Sequence, residues 1–221
     1  MRTTTTHNSL VIERLNKRYN NTCIFENFSL DVKDGEFVSI FGPNGCGKTT
    51  LLKAISGLTT YEGTINKPQK ISFITQNPEE LVLPWLSVKA NIIFPLKEKN
   101  LDKEQIGELN KIINETNLER YKHSYPYQLS GGFLQLVLLA RSFFHKSELI
   151  LMDEPFRSLD AENLKRTKES LIKLSQINNP TIILISHDLE EALSISDKVI
   201  LFSDKPVQIT RVIDARDKHK K

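Results

Sequence analysis

The sequence predicts an α/β fold, with a mixed or parallel sheet at its core, an N-terminal antiparallel β subdomain and an inserted α-helical subdomain. Three observations carry this. Short apolar strand patterns open the chain, strand signals fade over residues 77–145, and near-continuous apolar runs return at 149–152, 181–185 and 198–202. Runs of the last kind suit strands buried on both faces of a parallel sheet.

Taken in order, residues 10–14, 24–32 and 36–41 read as strands, with Asp34-Gly35 turning the chain between the last two. A helix is expected over 47–56, stopping at Gly57, followed by a strand at 70–75. Helical patterns then occupy 87–94, 102–116 and 131–144, interrupted by Pro84, Pro95 and Pro126. Helices at 161–177 and 189–194 separate the returning strands. Beyond Phe202 there is room for at most one strand and a basic tail, 216–221. The expectation is a single domain, with a core of about 8–76 and 146–212 and a helical subdomain of about 77–145.

Composition narrows the function. A net charge of +3 over 221 residues is too small to argue for nucleic acid as the main partner. The two cysteines, Cys23 and Cys46, argue against a disulfide scaffold and for a reducing cytosol. No apolar run approaches the length of a membrane span. The polar, Thr-rich residues 1–8 hold no apolar segment of the kind a secretory signal needs. A role at a membrane therefore requires another protein to hold the chain there.

The chemistry centres on Gly42-Pro43-Asn44-Gly45-Cys46-Gly47-Lys48-Thr49, which fits G-x-x-x-x-G-K-[ST] directly after an apolar strand. Such a match arises by chance in about one chain of this length in a hundred. Glycines let the backbone wrap phosphate oxygens with its N–H groups inward, and the following helix offers its positive end. The eight loop residues, with Thr50 after them, are the expected ATP contacts. Lys48 would reach the β- and γ-phosphates, and Thr49 would give its hydroxyl to Mg2+. The core is thus expected to be that of a P-loop NTPase. A second element, Leu149-Ile150-Leu151-Met152-Asp153-Glu154, brings two carboxylates to the end of a buried strand, where α/β sheets bind ligands. Asp153 suits a Mg2+ contact through water, and Glu154 a general base for the attacking water.

Three more segments join these in order: Leu129-Ser130-Gly131-Gly132, Ser158-Leu159-Asp160, and His187 after the strand at 181–185. Together the five motifs resemble the ATPase subunits of ABC transporters, over roughly residues 10–202. The resemblance implies a head-to-tail dimer around two ATP molecules, with a second ATPase subunit, expected to be an identical copy. Ser130, Gly131 and Gly132 of one subunit would contact the γ-phosphate held by the other. Without that partner, the same segment is simply a helix start with Ser130 as its N-cap. Gln76 is similar to the family's glutamine that touches Mg2+ and senses the γ-phosphate. His187 matches its switch histidine, Asp160 its interface aspartate, and Tyr19 the aromatic that stacks on adenine.

The pattern departs at Phe133, where the family usually has Gln, and at Gln135-Leu136, where it commonly has Gln-Arg. These changes bear on turnover rather than on nucleotide binding, and reflect tighter helix packing or contact with a partner. The segment Leu83-Pro84-Trp85-Leu86 looks like that of bacterial importers of nitrate, taurine and aliphatic sulfonates. Trp85 either docks a membrane partner or covers the subdomain's own core. The implied partners are transmembrane permease subunits and, indirectly, an extracytoplasmic solute-binding protein, at the cytoplasmic face of the membrane. A soluble ABC-type ATPase acting on DNA or ribosomes, a module with weak turnover and a small-molecule kinase are the alternatives. The first of these would carry a coiled-coil insertion or a second such domain, and the kinase leaves the segment at 129–132 and His187 unexplained.

Overall fold

Two hydrophobic patterns, period-two alternation at the start and solid apolar runs later, build two sheets in the computed structural model. It describes residues 8–96, 100–157 and 159–216. Ser158, the tail after Arg216 and residues 1–7 lie outside the described residues. The first sheet is antiparallel, in the order β2-β1-β4, from β1 (Asn8–Tyr19), β2 (Thr22–Lys33) and β4 (Glu62–Asn66). The second runs β5-β6-β7-β3-β8-β9. Its strands are β3 (Phe37–Phe41), β5 (Ile71–Ile74), β6 (Leu149–Asp153), β7 (Thr181–Ile185), β8 (Lys198–Phe202) and β9 (Ile209–Asp214). The pairings β6–β7, β7–β3 and β3–β8 are parallel, and β9 closes the edge antiparallel to β8. β6 and β7 are buried at every position, as their unbroken apolar runs demand.

The chain forms two compact units. One holds the residues up to Phe73, Glu148–Glu154 and those from Pro180 on, and the other holds Ile74–Ser147 and Pro155–Asn179. The first has a single core in which Leu10, Ile12, Phe25 and Phe28 of the antiparallel sheet pack with Val38, Ile40, Leu151 and Ile183 of the parallel strands. Against these strands lie α1 (Lys48–Ser56) and α6 (Leu189–Ile195).

The second unit is helical: α2 (Val88–Ile93), α3 (Lys103–Glu115), α4 (Gly131–Phe144) and α5 (Ala161–Asn178). α4 is its centre, touching α2, α3 and α5, and this explains its apolar length. Leu136 is fully buried, so the Leu that stands in place of the family's Arg belongs to the core. Two of these helices are capped by side chains at their starts: Asp102 and Gln105 form a reciprocal capping box at α3, and Asp160 accepts from the Asn163 amide at α5. No helix among the described residues is long and apolar enough to cross a membrane.

Trp85 is 69% exposed and does not cover a core. Its loop is nonetheless rigidly tied. The Asn91 side chain, fully buried, accepts from Leu83 N at 2.8 Å and donates to the carbonyls of Leu83, Leu86 and Ser87. Arg141 secures Asn91 in turn, its Nη2 donating to Asn91 Oδ1 at 2.6 Å. Because each lost partner strands a buried polar group, Asn91→Ala is expected to cost about 3 kcal/mol or more. Urea unfolding followed by emission of Trp85, the sole tryptophan, measures this, and an unchanged midpoint would refute it.

Candidate functional site

β3 carries the chain into the loop 42–49 and α1 takes it out. Two positions force glycine. Gly45 and Gly47 stand at φ +72 and +136, and a Cβ on Gly47 would lie 2.5 Å from Ile24 Cγ2. Cys46 is buried in the core beneath the loop, whereas Pro43 and Asn44 face solvent. α1 has no side-chain cap and no acidic residue in its first turn, so the positive end of its dipole is uncompensated. Lys48 is 5% exposed, and its ammonium donates to the carbonyls of Gly42 (2.7 Å) and Pro43 (2.8 Å). It is thereby held over the concave face of the loop.

Asp153, at the end of β6, is 3% exposed. Burial pushes its carboxyl above the usual carboxylate range, a hydrogen bond with Thr49 pulls it down, and the neighbouring Glu154 charge pushes it up again. Among the described residues Asp153 Oδ1 has no hydrogen-bond partner. A buried carboxylate oxygen left unpaired beside a threonine hydroxyl is a donor set suited to a hard divalent cation, so these two residues fit Mg2+.

Glu154 follows in a left-handed turn (φ 48), its N–H donating to Ile185 O at 3.1 Å. The parallel register Asp153↔Ile185 places the chain ends of β6 and β7 side by side. As a result Glu154 Oε2 and His187 Nδ1, 33 residues apart in sequence, stand 4.0 Å from each other. Tyr19 is exposed, with its hydroxyl hydrogen-bonded to Thr59 and, more weakly, to Thr50 on α1, which lowers its pKa. Lys17 Nζ stands 4.6 Å from the ring centroid. The ring is thus fixed beside the helix that follows the phosphate loop.

The remaining predicted residues, Gln76, Ser130, Gly131, Gly132 and Asp160, form a second group in the helical unit, around a cavity of about 720 Å3. Ser130 occupies the N-cap position of α4 in extended conformation, but its hydroxyl makes no cap bond, unlike the capped start the sequence suggested. The helix end is therefore open to another hydrogen-bonding group. The two glycines differ. A Cβ on Gly132 would fall 2.8 Å from Asn163 Cγ, whereas one on Gly131 meets nothing within 4 Å. Gly132→Ala should then destabilise the chain by about 1–3 kcal/mol, while Gly131→Ala leaves thermal stability within about 1 kcal/mol. Melting curves of both variants decide this, and equal losses would contradict it.

Two residues around the cavity escaped the sequence reading. Asn163 grips Asp160 twice, through its backbone N (2.9 Å) and its Nδ2 (2.6 Å). The spacing Asp160-x-x-Asn163 at a helix start was the available signal. Gln135 is buried, and its Nε2 has no hydrogen-bond partner among the described residues, which no local pattern announces.

The family model described as ABC transporter matches residues 25–157. The chain is 36% identical to the Fe(3+) ions import ATP-binding protein FbpC of Fusobacterium nucleatum, covering 90% of this chain and 57% of that protein. It is 37% identical to the aliphatic sulfonates import ATP-binding protein SsuB of Bacillus cereus, covering 86% and 78%. Among solved structures, a dimeric post-hydrolysis state of the ATP-binding cassette MJ0796, bound to ADP and Pi, matches with a TM-score of 0.76. That match is 26% identical and covers 94% of this chain and 99% of the other.

Proposed function

This chain belongs to the ABC transporter family and is one of its ATPases, and from that premise we propose that it is the energy-coupling subunit of an importer for a small solute. The observation that carries the reading is that one chain holds two different half-sites. One is a phosphate loop with Glu154 and His187 beside it. The other is an open helix start at Gly131, where the glycine has no internal steric reason. Two copies arranged head to tail bring each loop to the other's Ser130-Gly131-Gly132. Gln76 and Asp160 complete the closed site, and Tyr19 stacks on the adenine.

In this mechanism the loop amides and Lys48 hold the β- and γ-phosphates and carry the charge that develops on them. Thr49 and Asp153 would hold Mg2+, which would supply further neutralisation of phosphate charge. Glu154 takes the proton of the water that attacks the γ-phosphorus, as the bond to the ADP oxygen breaks. His187 orients that water and the γ-phosphate. Closing around ATP and reopening after hydrolysis move the permease subunits, which hold the chain at the cytoplasmic face of the membrane. The segment Leu83-Pro84-Trp85-Leu86, with Pro84 and Trp85 exposed, is the docking candidate on the helical unit. That segment and the sulfonate-importing relatives favour a nitrate, sulfonate or taurine type of solute, delivered by an extracytoplasmic binding protein.

Mixing two dead variants tests the shared site. Lys48→Ala and Gly131→Asp should each be nearly inactive alone, because each spoils both sites of its own dimer. In an equal mixture half the dimers are mixed and hold one intact site, so roughly a quarter of wild-type ATPase should return. An inactive mixture would sink the head-to-tail reading.

A further inference from the structure

Phe133 stands one position after Gly132, where the family usually has glutamine, and its surroundings give it a function of its own. The ring is bracketed on two sides: the Tyr121 ring lies at 4.5 Å between centroids, tilted by 54°, and the Arg166 guanidinium carbon lies 4.9 Å from the centroid. Arg166 is held twice more along α5, donating from Nη1 to Asn163 Oδ1 (3.2 Å) and from Nη2 to Glu162 Oε1 (2.6 Å). Asn163 in turn makes the double grip on Asp160 and lies flush against Gly132. One continuous set of contacts therefore runs from α4 through Phe133, Arg166 and Asn163 to Asp160, inside a single compact unit.

We propose that Phe133 is a positioning residue: its ring clamps Arg166, and through Asn163 this locks the Asp160 carboxylate to the start of α4. A glutamine at this position would reach its neighbours by hydrogen bonds. Phenylalanine instead offers a flat apolar face, to which a guanidinium plane adheres at little cost in side-chain freedom. Ser130, Gly131 and Asp160 then approach a second copy already in fixed relation, and less ordering is left for the step that closes the site. The functional consequence rests on the head-to-tail reading above, whereas the clamp itself does not.

The decisive variant is Phe133→Leu, which keeps apolar volume for α4 and removes the ring face. Amide hydrogen exchange at Asn163 should quicken several-fold, because its N–H bond to Asp160 loses its backing. The kcat for ATP should fall about tenfold while the affinity for ATP changes less than twofold. Phe133→Tyr should restore kcat, and Arg166→Gln should reproduce the loss. The double variant Phe133→Leu with Arg166→Gln should be no worse than either alone. Unchanged exchange at Asn163 overturns the clamp. Faster exchange with unchanged kcat overturns its positioning role, as do losses that multiply in the double variant. A wild-type chain without ATPase activity that still shows the exchange difference overturns the transport reading and upholds the clamp.

Discussion

Replacing Glu154 by glutamine is expected to slow ATP hydrolysis by about 10^2–10^4-fold while leaving ATP binding intact. The amide matches the carboxylate in shape, so the turn at φ 48 and its bond from Glu154 N to Ile185 O are retained. What disappears is a group able to accept a proton from water. His187, 4.0 Å away, retains its place but loses the negative charge it faces. The same variant should accumulate as an ATP-bound dimer, because in the proposed cycle closure follows ATP binding and reopening follows hydrolysis. Phosphate release and gel filtration with ATP measure the two halves of this expectation. A variant that turns over at the wild-type rate would remove Glu154 from the chemistry.

Lys48→Ala is expected to weaken ATP binding by about 10- to 100-fold, in line with the loss of a charge-assisted hydrogen bond to phosphate. The effect is large because the ammonium is buried and already aimed across the loop by the carbonyls of Gly42 and Pro43. Lys48→Arg should not rescue it. The site accepts a compact point charge, and a planar guanidinium does not fit a position that is 5% exposed. Titration with a fluorescent ATP analogue is the measurement, and unaltered affinity in Lys48→Ala would remove this lysine from the binding site.

Much of this was legible in the chain because the informative features are short and contiguous. The phosphate loop is eight consecutive residues between an apolar strand and a helix, and α4 is bounded as its pattern indicates. β4, by contrast, went unread: Glu-Gly-Thr-Ile-Asn is brief, holds a glycine and is mostly exposed. It is a strand because β1 supplies a partner edge, with Gly63 set against the backbone of the irregular step at Arg14. β1 likewise runs to Tyr19, well past the expected strand at 10–14, since β4 pairs it as far as Asn16 and β2 to its end, across register shifts in both ladders. α5 joins the helical unit by packing on α4 and α3, a choice that its own amphipathic pattern does not encode.

By itself the sequence singled out the residues proposed to carry chemistry: the loop around Lys48, the carboxylates 153 and 154, and the glycines at 131 and 132. These depend on local backbone conformation and on residue type, both of which are written in neighbouring positions. Only the tertiary structure decided how they combine. Strand register brings Glu154 to His187, burial leaves an Asp153 oxygen unpaired, and helix packing binds Phe133 through Arg166 and Asn163 to Asp160. Each of these joins elements distant in sequence, and such contacts follow from how the core fills space.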